Sequence, residues 1–446
     1  MSTRARALVS RIVCGSAGAL VALILPRGAL ADDPVQVAVA SPPAQLAPPP
    51  PAPPRSRAFT RHPPPAREDT LQGEVDGEET AEGGPPFKDY LRLHAGPLTI
   101  EPEVLLQVQA VPYLGADASV EAGDPADKPG FRFRRARFGF EGRLFHRVPF
   151  EINAEYNAAV IDNPGLILHD AWFGYDRFRY LQIFVGTADV PFSRSALTGA
   201  GESALIERPF AVQAMAPFHQ LGARLEGRFF SGGLNYCFGV YNGLVRSASN
   251  GFFAGYLENP GFQGNRFEGL TYAGRLTTEP LGSLGPTMED LHHGKLKVAA
   301  GASAFYSNGT TTGILGLGGD VLLHFRGLHV LGEFLANRTS PTTQPPLRMS
   351  QANQDATVQS YGGVAEAGYV VIKERLGVTV RFERIVPNTQ TAGTAEPGDS
   401  WILTGGASYH LLNDFLKAQL DYTRRQELHG TSLKNDSVVI QAQVNL

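Results

Sequence analysis

The chain has few of the residues that staple a secreted fold together. Its 446 residues include 2 cysteines, 4 methionines and 2 tryptophans. Cys14 falls in an N-terminal apolar stretch, so Cys237 is alone in the remainder and no intramolecular disulfide is expected there. Beyond that stretch no apolar run reaches the roughly 20 residues that a helix needs to span hydrocarbon. Any passage through a membrane would have to be made by strands. A net charge of −4 leaves no global basic footprint for nucleic acid, so no nucleic-acid partner is expected. Motifs of catalysis are missing as well: there is no G-x-S-x-G elbow, no H-E-x-x-H and no C-x-x-C. Gly316-Leu317-Gly318-Gly319 lacks the third glycine of a dinucleotide loop. His292 and His293 are adjacent rather than four apart, and they read as part of a solvated connection rather than a metal site. No catalytic residue, cofactor or metal is expected.

What is present begins with a leader pattern. Arg4, Arg6 and Arg11 precede a mostly apolar stretch from Ile12 to Pro26, and Ala29-Leu30-Ala31 fits a small-x-small cleavage site. Residues 1–31 are therefore expected to be a signal peptide. From Asp32 to about Arg67 the chain is rich in Pro and Ala, and Glu68 to Gly84 is acidic without aromatics. Neither composition can bury a core, so residues 32–96 read as a disordered periplasmic tether.

The pattern changes from residue 97. Phe150, Ile152, Ala154 and Tyr156 share one parity, while Glu151, Asn153, Glu155 and Asn157 hold the other. Leu376, Val378, Val380 and Phe382 alternate with Gly377, Thr379, Arg381 and Glu383. The same period of two runs through Leu416–Thr423 and on to Val438, Ile440, Ala442, Val444 and Leu446. Successive residues of a strand point to opposite faces, so these segments separate an apolar phase from water. Tight turns such as Arg326-Gly327 alternate with long polar connections such as Thr339 to Thr357. Short turns on one rim and long loops on the other mark a transmembrane barrel rather than a soluble sandwich. The 50 glycines, 26 phenylalanines and 14 tyrosines suit that reading. At roughly 20 to 24 residues per strand with its connection, residues 97–446 make about 14 to 18 strands. The alternating segments centre on about sixteen, an all-β, antiparallel transmembrane β-barrel with an aqueous lumen in the bacterial outer membrane. Outer-membrane lipid is its expected surroundings.

Several blocks carry a family resemblance. FRFRRARFGFEGRLF (Phe131 to Phe145) is followed by HDAWFGY (His169 to Tyr175) and VGTADVPFS (Val185 to Ser193). ERPF (Glu207 to Phe210), LGARLEG (Leu221 to Gly227) and GVYNG (Gly239 to Gly243) come next in order. Together they resemble the phosphate-selective porin O/P family. The resemblance implies a sixteen-stranded porin, a homotrimer, passing small anions such as phosphate through a passive channel. A structural barrel whose tether grips the cell wall is the alternative from another class, and a barrel-borne phospholipase is a third.

Selectivity in a wide barrel resides in lumen charges and in any loop folded inward. With the apolar parity outward, Arg135, Arg137, Arg143, Arg224, Arg228, Arg275 and Arg381 face the lumen. Glu141, Glu151, Glu155, Asp170, Glu226, Asp320, Glu333, Glu383 and Asp421 share that side. Arg135, Arg137, Arg224, Arg275 and Arg381, with Arg208 on the loop, are the candidate anion path, because a planar guanidinium grips phosphate or carboxylate and stays charged. The other reading of each is an arginine paired with acids that orders the wall. The stretch Ser193 to Gln220 is the candidate constriction loop. It carries Arg194, Glu202, Glu207 and Arg208 and no lysine, so a basic cluster at the constriction is expected to be reduced.

Overall fold

The computed structural model describes residues 91–117, 128–157, 165–244, 255–256, 264–265, 268–309, 312–341, 357–389, 399–412, 415–429 and 432–446. The expected signal peptide and most of the expected tether lie outside these residues.

Sixteen antiparallel strands form a closed sheet. They are β2 (Leu98–Leu114), β3 (Gly130–Leu144), β4 (Val148–Asn157), β5 (Gly165–Phe178), β6 (Leu181–Asp189), β7 (His219–Phe229), β8 (Leu234–Asn242), β9 (Leu270–Thr278), β10 (Lys297–Asn308), β11 (Thr312–Phe325), β12 (Leu328–Pro341), β13 (Val358–Ile372), β14 (Leu376–Val386), β15 (Ser400–Leu412), β16 (Leu416–Glu427) and β17 (Ser437–Asn445). Each pairs with its neighbour in sequence, and β17 closes the ring on β2. A short strand β1 (Leu93–Ala95) pairs with Leu98–Ile100 of β2, so the sheet starts within the expected tether. β1 lies beside the stretch of β2 that precedes the β17 pairing, which begins at Leu105.

Alternation decides which face meets which phase. Phe138 and Phe140 on β3, Phe173 and Tyr175 on β5, Val378, Val380 and Phe382 on β14, and Ile440 on β17 are exposed on the outside. A soluble protein would rarely leave so much aromatic and aliphatic surface uncovered, whereas a lipid-facing wall requires it. The opposite parity is polar: Gln419, Asp421, Gln441 and Gln443 on β16 and β17 are buried within the barrel. At Arg326-Gly327 both residues have positive φ (50° and 90°), the geometry of a two-residue hairpin turn.

Two local departures from strict pairing matter for the site. On β3, Gln107 of β2 faces Arg135 and Val108 faces Phe133, leaving Arg134 as an extra residue. On β5, Asn153 of β4 faces Asp170 and Ala154 faces Leu168, leaving His169 as an extra residue. A bulge shifts the parity of everything beyond it.

Candidate functional site

The 190–218 connection does not project from the rim. It folds into the barrel and fills much of its β10–β17 side. The reason is local composition: Val190, Phe192, Ala196, Leu205, Ile206, Phe210, Val212 and Met215 are apolar and buried, which an exposed loop would not sustain. It carries two short helices, α1 (Arg194–Leu197) and α2 (Phe210–Met215). They pack on an apolar inner wall that includes Phe305, Ile314, Leu335, Val364, Ile385 and Ile402. On β13, Gly362 lets α2 approach; a Cβ there would stand 2.8 Å from that of Ala211.

Acidic lumen residues hold the loop's backbone. Glu333 accepts from the backbone N–H of Arg194 (2.8 Å) and from the Ser195 hydroxyl (2.6 Å), at the start of α1. Glu383 accepts from the Ala211 N–H in the first turn of α2 (3.0 Å). Asp421 accepts from the Ile206 N–H (2.8 Å). These carboxylates satisfy N–H groups that would otherwise be buried without partners. Lys417 donates to the carbonyls of Gly201 (2.9 Å) and Ser203 (3.0 Å).

A second segment enters from the other rim. Residues 279–296 join β9 to β10 on the short-turn side, yet Leu284, Met288, Glu289, Asp290 and Leu291 are buried. Glu289 accepts from Ser408 (2.8 Å) and lies 3.0 Å from His410 Nε2. The Met288 N–H donates to the carbonyl of Glu202 on the loop (3.1 Å), so the two inward segments touch. His292 is exposed, as expected for a solvated connection, but His293 is half-buried with Nε2 2.9 Å from the Val370 carbonyl.

The β3 bulge then decides the charge facing the loop. Strict alternation would send Arg132 and Arg134 outward if Arg135 and Arg137 point inward. With Arg134 extra, all four turn inward. Arg132 bonds Gln109 (2.6 and 2.9 Å), and Arg134 forms a two-pronged pair with Glu207 of the loop (2.6 and 2.9 Å). Arg135 bonds Gln107 (2.8 Å) and lies 3.8 Å from Glu207, and Arg137 pairs with Glu155 (2.6 Å). Arg208 donates to the carbonyls of Ser195 (3.2 Å) and Thr198 (2.7 Å) and lies over the Phe218 ring. Burial alone would raise the Glu207 carboxyl, but the guanidiniums of Arg134 and Arg135 outweigh it and hold the group well below the usual carboxylate range. The basic cluster that the loop itself lacks is thus supplied by the wall.

The remaining candidates separate into two groups. Arg224 pairs with Glu226 (2.5 Å) on the half-exposed inner wall and lies over the Trp172 and Phe184 rings. Arg275 and Arg381 are buried. Arg275 pairs with Asp320 (2.6 Å), which also holds Arg194 (2.7 Å). Arg381 bonds Glu383 (3.0 Å) and the Glu207 carbonyl (3.0 Å), so both arginines belong to the loop's anchorage. Glu141, Glu151, Asp170, Trp172 and Glu226 stay half-exposed on β3, β4, β5 and β7, whereas Asp320, Glu333, Glu383 and Asp421 across the barrel are buried. The solvent-accessible inner wall carries Arg132, Arg134, Arg137 and Arg224 together with Glu141, Glu151, Asp170 and Glu226.

A closed sixteen-stranded barrel with an apolar outer belt and an inward loop is an outer-membrane channel of the porin class. The family model of the phosphate-selective porins O and P matches residues 113–310. That match spans somewhat less than half of the chain, and the chain's place is the bacterial outer membrane. No curated protein matches the sequence. Among solved structures, the outer membrane channel DcaP of Acinetobacter baumannii is 10% identical, with 79% of this chain and 99% of that chain covered and a TM-score of 0.51. Salmonella typhi OmpF, in complex with daunomycin, is 13% identical over 80% of this chain and 100% of that chain, with a TM-score of 0.50. OmpT of Vibrio cholerae is 9% identical over 80% and 100%, also with a TM-score of 0.50. At these identities the likeness is one of fold.

Proposed function

We propose that this porin prefers anions, and that permeating solutes pass between the inward loop and the β3 wall. The observation that carries the reading is the gathering of Arg132, Arg134, Arg135, Arg137 and Arg208 at one place, where Arg134 is bonded to Glu207 and Arg137 to Glu155 while Arg132, Arg135 and Arg208 bond neutral amide and carbonyl oxygens. Asp170 and Asp189 nearby, with Glu141 and Glu151 on the same wall, offset these charges overall, so the preference rests on the local row of Arg132, Arg134 and Arg137. In a constricted, partly desolvated passage such charges act far more strongly than in bulk water. Arg132, Arg134 and Arg137 are half-buried and line the open side, and Arg135 supports them from behind. Arg224 extends the path, whereas Arg275 and Arg381 keep the loop in place.

Nothing in this arrangement calls for bond chemistry, and we read the protein as a passive channel without enzymatic activity. In our reading it is a homotrimer, exported by residues 1–31, with the following proline-rich stretch as a tether. Phosphate or a related small anion is the solute class.

The test is the reversal potential in a salt gradient across a planar bilayer, with phosphate as competitor. The wild type is expected to be anion-selective. The Arg135→Ala/Arg137→Ala variant is expected to shift towards cations while keeping its heat-modifiable gel migration. A folded double variant with the wild-type potential would reject the arginine path.

A further inference from the structure

The β5 bulge assembles a second set of residues at the root of the inward loop. The extra residue His169 and its neighbour Asp170 come beside Asn153 and Glu155 of β4. His219 is the first residue of β7, cross-strand from Asp189 at the end of β6, where the loop leaves the wall. The His169 and His219 rings lie 3.8 Å apart between centroids. His219 Nε2 is 3.2 Å from Asp170 Oδ1, and His169 Nε2 is 3.9 Å from Asp170 Oδ2. One donor atom from each of the three residues lies within 4.8 Å of the others. Donors around a tetrahedral ion at about 2.0–2.2 Å stand roughly 3.3–3.5 Å apart, so the His219–Asp170 spacing already fits and His169 would have to move in by about 0.5–1.4 Å.

Two further observations point to a cation. His169 is only 5% exposed, yet its Nδ1 has no hydrogen-bond partner. Carboxylates stand near both of its nitrogens, Glu155 at 3.8 Å and Asp170 at 3.9 Å, just beyond bonding distance. The far nitrogen of His219 also has an acid behind it, Asp189 at 3.3 Å from Nδ1, whereas Glu155 would have to move closer to serve His169 in the same way. A carboxylate behind the imidazole is the usual second layer of a metal-bound histidine, fixing its tautomer and orientation.

We infer that His169, His219 and Asp170 bind a borderline divalent cation, zinc being the reference ion, inside the lumen at the root of the loop. Two imidazoles and one carboxylate suit zinc, nickel or copper and not magnesium, which takes oxygen ligands. Asp170 is half-exposed to the lumen, so the ion can enter and leave and its fourth position is open to water. Arg137, Arg208 and Arg135 are the nearby cations. Arg137 is bonded to Glu155, and the acids Asp170, Asp189 and Glu155 offset the added charge. An occupied site adds positive charge beside the constriction and ties β5 to the loop's exit.

The site goes beyond the channel reading, and its test does not depend on conduction. Full-length protein in detergent is titrated with zinc chloride by calorimetry, then with magnesium chloride. One zinc per chain and no magnesium heat are expected. His169→Ala and His219→Ala are each expected to remove the binding, and Asp189→Asn to weaken it about 10- to 100-fold. Heat-modifiable migration verifies folding; should a histidine variant fail to fold, Asp170→Asn takes its place with the same expected loss. Absence of zinc binding in the wild type, or undiminished affinity in the folded variants, overturns the inference. Conductance of the same preparations in chelator separates the two readings. A chain that conducts but ignores zinc loses only the metal site, and one that binds zinc without conducting loses only the channel.

Discussion

Arg134 reaches from the barrel wall to Glu207 on the inward loop, and two guanidinium nitrogens meet both carboxylate oxygens at 2.6 and 2.9 Å. This bidentate pair is the latch between the face that carries the arginines and the loop that narrows the lumen. Glu207→Gln removes one negative charge and keeps the shape of the side chain. The expected result is a stronger anion preference with noisier open-channel current, read in single-channel recordings. A shift towards cations would contradict the arrangement.

The latch also sets a pH expectation. A carboxylate with a folded pKa below its unfolded value contributes stability above the unfolded value, and that contribution is lost only as pH falls through the folded value. Glu207 is held well below the usual carboxylate range, so its contribution persists through mildly acidic solution. Protease resistance of the loop within residues 193–208 is expected to be unchanged from about pH 8 to about pH 5, above the ordinary carboxylate range, in the wild type. A loss of that resistance near an ordinary carboxylate value that Glu207→Gln abolishes would show that Glu207 titrates freely.

Glu333 anchors the start of α1 through three donors of Arg194 and Ser195. Glu333→Ala leaves them buried and unsatisfied, at a cost of about 1–3 kcal/mol to the seated loop. The barrel's outer contacts are untouched. Unfolding in urea is therefore expected to change little, while protease cleavage within residues 193–208 becomes detectable. A loop as resistant as the wild type would mean that Glu333 is dispensable.

Shortening the 279–296 segment removes the second obstruction. Replacing residues 281–291 by a short Gly/Ser turn is expected to raise single-channel conductance and, because Glu289 and Asp290 leave with the segment, to strengthen the anion preference. An unaltered conductance would place the limiting cross-section wholly at the loop.

The outer belt gives a stability prediction. Phe140 is exposed on β3, on the lipid side. Phe140→Arg is expected to cost about 2–4 kcal/mol if the position is near the bilayer midplane. Reversible urea unfolding in lipid vesicles measures it, and a neutral effect would place this face away from lipid.

The barrel was legible because lipid outside and water inside impose a period of two on every strand. Strands such as Leu376–Val386 declare their outward face through Val378, Val380 and Phe382 alone. The bulges were not legible. Arg134 and His169 look like ordinary members of their strands, and only the pairing across β2–β3 and β4–β5 shows that each is extra. A single residue of slip was enough to hide half of the arginine cluster and one metal-ligand candidate. The 279–296 segment did carry a signal that composition alone obscured. It is far longer than its neighbours on the same rim, such as Arg326-Gly327, and apolar Leu284, Met288 and Leu291 recur within it.

The seam where β17 meets β2 lies directly beside the seat of the loop. Gln107 of β2 bonds both Gln443 of β17 (2.7 Å) and the Ala200 carbonyl (3.2 Å), and Gln443 donates to the Gly201 carbonyl (2.9 Å). The first strand of the ring, the last strand and the middle of the chain therefore meet at one place. Contacts so distant in sequence form late in folding, after the ends have been brought together. The loop can find its full set of partners only once the ring is shut, so seating the loop and closing the barrel are coupled through Gln107 and Gln443.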